Sequence, residues 1–177
     1  PTGMPLLLLA AGLYVTVVIF EQAAMITAAH NIAHGRSINL PGMARFLLVR
    51  FGALLQLSLL MIGRTILAAA PFVIAAALVF EHYLTEYDIN YYLAERPPVF
   101  YQAGAAIALS LLVMAWLLAR LLAGWVVALP LLLLGQGGPA EALQRSRSVA
   151  APVRRPLAAT LLAWLVFTVI LFAFAGL

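Results

Sequence analysis

Residues 156–177 read PLAATLLAWLVFTVILFAFAGL, a run with no charged side chain. A helix needs about 20 predominantly apolar residues to cross a hydrocarbon core of about 30 Å. This run meets the requirement, and three others like it stand upstream. They are Pro5 to Ala29, interrupted by Glu21 and Gln22, Phe51 to Phe80, containing Gln56 and Arg64, and Val99 to Leu134, containing Arg120 and Pro130. The whole chain of 177 residues is 66% apolar and 9% charged, with mean hydropathy +1.08. Average soluble usage is about 45–50% apolar and about 25% charged. A water-exposed surface cannot be covered from this composition. The reading is an all-α integral membrane protein of about four transmembrane spans forming one helix bundle, 1–177, which excludes a soluble enzyme, a disordered tail and a nucleic-acid-binding domain.

The third run is too long for one simple crossing. Its 36 residues would reach about 54 Å at 1.5 Å per residue. It either tilts and overhangs or breaks near Gly124 or Pro130.

Charge sets the expected orientation. The chain holds ten arginines, no lysine, six acids and no cysteine, for a net charge of +4. Arg36, Arg45 and Arg50 lie in 30–50, and Arg145, Arg147, Arg154 and Arg155 lie in 135–155. Segment 81–98 carries Arg96 beside Glu81, Glu86, Asp88 and Glu95. The positive-inside bias therefore predicts the first two segments in the cytoplasm and the acidic one outside. Two cytoplasmic stretches, 41–55 from Pro41 and 139–150 from Pro139, read as amphipathic helices at the headgroup boundary, their arginines toward anionic lipid. The start, Pro1-Thr2-Gly3-Met4, has neither initiator Met nor a positive leader, so a fragment of a longer chain is expected.

The outer segment reads Tyr87-Asp88-Ile89-Asn90-Tyr91-Tyr92-Leu93-Ala94-Glu95-Arg96-Pro97-Pro98. Thr85 or Asp88 can cap a short helix here, Tyr91 and Tyr92 suit the headgroup belt, and the two prolines end the helix. The stretch resembles the signature of the membrane domain that precedes the catalytic barrel in bacterial glycerophosphodiester phosphodiesterases. Glu21-Gln22-Ala23, Ala128-Leu129-Pro130-Leu131-Leu132 and Ala142-Leu143-Gln144-Arg145-Ser146 agree with that family in order. The resemblance implies a bacterial inner-membrane protein whose parent hydrolyses glycerophosphodiesters to glycerol 3-phosphate and an alcohol. It also implies a divalent-metal barrel following on the same polypeptide. Such a barrel takes about 250 residues, so 177 cannot contain one, and this chain would be the anchoring and positioning module. It would have no catalytic residue, no cofactor of its own and no nucleic-acid partner. The alternative is a small transporter or permease-like subunit whose buried charges line a path.

Four constellations carry what chemistry the sequence offers. Asp88, Asn90, Tyr91 and Arg96 are candidates for a lipid-headgroup or ligand contact. His30 and His34 have metal-ligand spacing but no further ligand in their loop, so no metal site is assigned. Gly135-Gln136-Gly137-Gly138-Pro139 opens a helix end that can attract phosphate, or serves as a plain turn. Glu21, Arg64 and Arg120 form an expected buried charge cluster. Measured from span ends at Ala29, Phe51 and Leu134 they lie about 12, 20 and 21 Å deep, where an unpaired charge costs about 2.5–3.5 kcal/mol. Glu21 is expected to bridge one arginine, or else both arginines snorkel to the interface. The small-residue spacings Gly104-xxx-Ala108 and Gly124-xxx-Ala128 fit close helix contacts.

Overall fold

The computed structural model of the chain describes residues 3–35, 39–135 and 137–175. Arg36 and Gln136 lie outside them. Among the described residues eight helices follow one another: α1 (Gly3–Ala33), α2 (Leu40–Val49), α3 (Phe51–Leu84), α4 (Ile89–Glu95), α5 (Pro98–Ala123), α6 (Ala128–Leu134), α7 (Pro139–Val149) and α8 (Arg154–Ala175). Four segments are long and apolar enough to cross a membrane: Gly12–Ala33, Phe51–Leu84, Pro98–Leu134 and Arg154–Ala175. Their large side chains point outward. Leu67 of α3 is 76% exposed and Phe172 of α8 is 75% exposed, as no water-facing helix would arrange them. The all-α class and the membrane as solvent follow.

Local chemistry explains where the helices stop. Gly35, at φ 67, takes the left-handed conformation that closes α1, its N–H donating to Ile32 O at 2.9 Å. Asn39 caps α2 through its side-chain oxygen, which accepts from Gly42 N–H at 3.4 Å. The expected amphipathic helix 41–55 ends at Val49, because Arg50 turns the backbone (φ −89, ψ 2) and α3 starts at the next residue. Pro139 occupies the first turn of α7, where its missing N–H is no loss.

The third apolar run is broken. A turn at 124–127 separates α5 from α6. It is held by Ser146, whose buried hydroxyl donates to Gly124 O at 2.9 Å, supplying a helix-end carbonyl with a partner. Trp125 lies in the same turn at 3% exposure, with the Arg147 guanidinium 6.0 Å over its ring.

The chain divides into two compact units. Unit 1 comprises 1–64 and 124–154. Here α6 packs on α7 and α1, and α1 touches α2. Its buried side chains include Ala23, Leu54, Leu57, Ser58, Leu132, Leu133, Ala142, Leu143 and Ser146. Within it α1 and the start of α3 run antiparallel. Thr16 Oγ1 donates to Ser58 Oγ at 3.4 Å, and the Phe20 and Phe51 rings lie 5.2 Å apart. At the other end of the pair, a Cβ on Gly12 would sit 3.9 Å from Ile62 Cδ1.

Unit 2 comprises 65–123 and 155–177. Ala119 and Ala123 of α5 meet Ala158 of α8, all three buried, with Leu157 and Leu162 against them. Ser110 of α5 donates to Phe72 O of α3 at 3.1 Å, one residue beyond Pro71 inside that helix. The close contact therefore runs through Ala119 and Ala123. Gly104 and Ala108 are exposed instead.

Candidate functional site

The outer segment is built around tyrosines. Asp88 immediately precedes α4, its carbonyl accepting from Tyr91 N–H at 3.0 Å and its Oδ2 from Asn90 Nδ2 at 2.8 Å. Thr85 donates back to Glu81 O at the end of α3, so its hydroxyl serves that helix and not the start of α4. The Tyr91 ring lies 4.5 Å from that of Tyr87, tilted by 31°. Tyr92 differs from the belt residue expected of it. At 4% exposure it is buried, its hydroxyl donating to Tyr83 O at 3.2 Å and its ring 6.2 Å from Phe100. The physical reason is that the end of α3 presents a carbonyl without a helical donor, and a tyrosine one helix away reaches it.

Arg96 adopts φ 47, a left-handed turn that stops α4 before Pro97. A cavity of about 220 Å³ lies under the segment, lined by Phe80, Leu84, Tyr87, Asp88, Tyr92 and Phe100. Of the four residues singled out in the sequence, Asp88 alone lines it. Asp88 and Asn90 are brought together; Tyr91 and Arg96 are not part of the cavity wall.

A larger cleft, about 470 Å³, opens in unit 1 where α1 ends. Thr27, His30 and Asn31 of α1 form one wall, Asn39, Gly42, Met43 and Phe46 of the α2 end another, and Leu133 and Leu134 of α6 the third. Thr27 is already occupied, donating to Ala23 O at 2.8 Å. The His30 ring, the Asn31 amide and Asn39 Nδ2 make no hydrogen bond to the described residues. Beside the cleft, the Arg50 guanidinium donates to Leu132 O at 3.4 Å, where a cation suits a helix C-terminus. Sequence reasoning singled out His30 for its spacing to His34 and missed the rest. The signal was faint: two asparagines around a glycine turn, drawn together by three separate helices.

The other constellations resolve differently. His34 Nδ1 donates to His30 O at 2.8 Å, and the two rings lie 4.2 Å apart. No group of three metal-ligating side chains occurs among the described residues. The Glu141 carboxylate lies against the glycine turn before α7. Glu141 pairs with Arg145 at 2.6 Å, and a Cβ on Gly137 would meet Glu141 Oε2 at 2.6 Å.

The charge cluster is rearranged. The contacts Gly12–Ile62, Thr16–Ser58 and Phe20–Phe51 place Glu21 level with the first turn of α3. Arg64 lies about 20 Å further along that helix, counted from Phe51. Among the described residues neither takes part in an ion pair, so the expected bridge between them does not form. The sequence depths assumed that α1 and α3 end at one level, whereas α1 runs well past Phe51. Glu21 is exposed, not buried. Arg120 sits in the last turn of α5, because the break at 124 ends that helix early, and its guanidinium stands 5.9 Å over Trp116. No protein-family model, no curated protein and no solved structure matches this chain.

Proposed function

We propose that the chain is the membrane anchoring and positioning module of a glycerophosphodiester phosphodiesterase, not catalytic by itself. The observation that supports this reading is where the residues of the resemblance fall. Ala23 of α1, Leu132 of α6, and Ala142, Leu143 and Ser146 of α7 are all buried in unit 1, where α6 packs on both α1 and α7. Two neighbouring stretches and a third about 100 residues upstream thus contribute to one packed region. The outward-facing apolar side chains supply the membrane hold. A tether of this kind raises the local concentration of an attached domain at the bilayer, to the millimolar range for a short flexible link. A divalent metal would belong to the barrel that follows, with its own His and Glu residues.

The test uses the full polypeptide that contains this chain. A hydrolase barrel is expected downstream, and cutting the link to it should lower turnover of a vesicle-borne glycerophosphodiester about 10²-fold or more. Turnover of a soluble glycerophosphodiester should stay unchanged. A reading frame without such a barrel overturns the proposal, and so does equal loss on both substrates.

The orientation proposed for the module puts 30–50 and 135–155 in the cytoplasm of a bacterial inner membrane and 81–98 outside. The Arg50 guanidinium on Leu132 O joins the end of the first arginine-bearing segment to the helix that leads into the second, which supports a shared side. In this cysteine-free chain, Thr85→Cys should react with an impermeant thiol reagent in intact cells, and Ser148→Cys should react after lysis alone. The reverse pattern refutes the orientation.

A further inference from the structure

We propose that the unit 1 cleft binds a single glycerophospholipid, with its phosphate at the polar end and the start of an acyl chain along the apolar wall. The proposal stands apart from any hydrolase, since it uses residues of this chain alone. The lining divides by chemistry: His30, Asn31 and Asn39 offer hydrogen-bond donors, while Met43, Phe46, Leu133 and Leu134 offer hydrocarbon. Such a gradient within one cavity fits an amphiphile and wastes half its contacts on a wholly polar or wholly apolar ligand.

Position agrees with composition. The cleft begins where the apolar run of α1, ending at Ala29, gives way to His30 and Asn31. Leu40, Leu48 and Val49 of α2 are 72%, 71% and 78% exposed, so this helix presents hydrocarbon outward as an interfacial helix does. Arg45 is exposed on the same helix, adding positive charge to the α2 surface. The cleft is half open, and its volume of about 470 Å³ falls in the range of about 300–1,000 Å³ typical of small-molecule sites. It accommodates a headgroup and the first methylenes, and the rest of the chains leave through the open side.

Gly42 allows a test, because the nearest atoms a Cβ there would meet belong to the Asn39 side chain, at 3.4 Å and beyond. Gly42→Leu fills the cleft while raising helix propensity. Gly52→Leu makes the same change at an open position on α3, outside the cleft lining. The full chain is placed in nanodiscs of a neutral, phosphate-free glycolipid containing trace phosphatidylglycerol with a photoreactive group near the glycerol end of one acyl chain. Irradiation should concentrate label on 40–46 and 131–134. Gly42→Leu should lower that label about tenfold, equivalent to about 1.4 kcal/mol, with Gly52→Leu and the bulk-lipid label on α8 unchanged.

Label spread evenly over the outward faces of α3 and α8, or undiminished in Gly42→Leu, overturns the proposal. Excess inorganic phosphate and a soluble glycerophosphodiester separate the lipid from its headgroup. Failure of both to displace the label supports a lipid site, and displacement by either overturns the lipid assignment. Loss of label on α8 as well, marking a misfolded variant, passes the decision to His30→Leu with Asn31→Leu. That pair should lower the cleft label alone, and an unchanged cleft label overturns the proposal.

Discussion

Alanine in place of Leu143 is expected to lower the unfolding free energy by about 2–5 kcal/mol, the usual range for truncating a fully buried leucine. Leu143 is 0% exposed, on the face of α7 that also buries Ala142 and Ser146. The cavity would resist collapse. Ser146 fastens α7 to the turn at Gly124, and Leu132 and Leu133 on α6 are themselves buried. The measurement is a denaturant titration in mixed detergent micelles, with Leu48→Ala as the comparison. Leu48 is 71% exposed, so its truncation should shift the midpoint little. Equal shifts for both variants would mean that the apolar face of α7 is not packed.

Ala158→Phe is expected to cost about 1–3 kcal/mol by overpacking, and to push α8 off α5. Ala158 is fully buried against Ala119 and Ala123, and three methyl groups leave no room for a ring. In lipid such contacts depend on close approach, since hydrocarbon outside the protein is as apolar as hydrocarbon inside it. The neighbouring Ala159 faces outward, so Ala159→Phe should be silent. A cysteine pair bridging α5 and α8 should crosslink in the Ala159 variant and lose that crosslink in the Ala158 variant. Retained crosslinking in both would refute the close contact.

The four spans were legible because length and hydropathy are properties of a segment alone. The break between α5 and α6 was legible only as one of two options. Gly124, Trp125, Val126 and Val127 carry no strong stop signal, and a hydroxyl 22 residues away holds the turn. The Glu21–Arg64 bridge failed for a similar reason. Depth was counted along each helix separately, while the level at which two helices meet is set by pairs such as Phe20–Phe51. Tyr92 and the cleft were hidden by the same limit. A belt tyrosine and a buried one look alike until Tyr83 presents its carbonyl, and Asn39 gains meaning when α2 folds back beside Asn31.

The buried turn has an optical consequence. The chain holds three tryptophans, Trp116 and Trp164 in unit 2 and Trp125 in unit 1. Trp116 and Trp164 are 42% and 66% exposed, open to a quencher dissolved in the acyl chains, whereas Trp125 at 3% is shielded, its indole N–H without an acceptor among the described residues. Fluorescence surviving such a quencher therefore arises from Trp125, and its wavelength and lifetime report on the α6–α7 packing of unit 1 without any attached label.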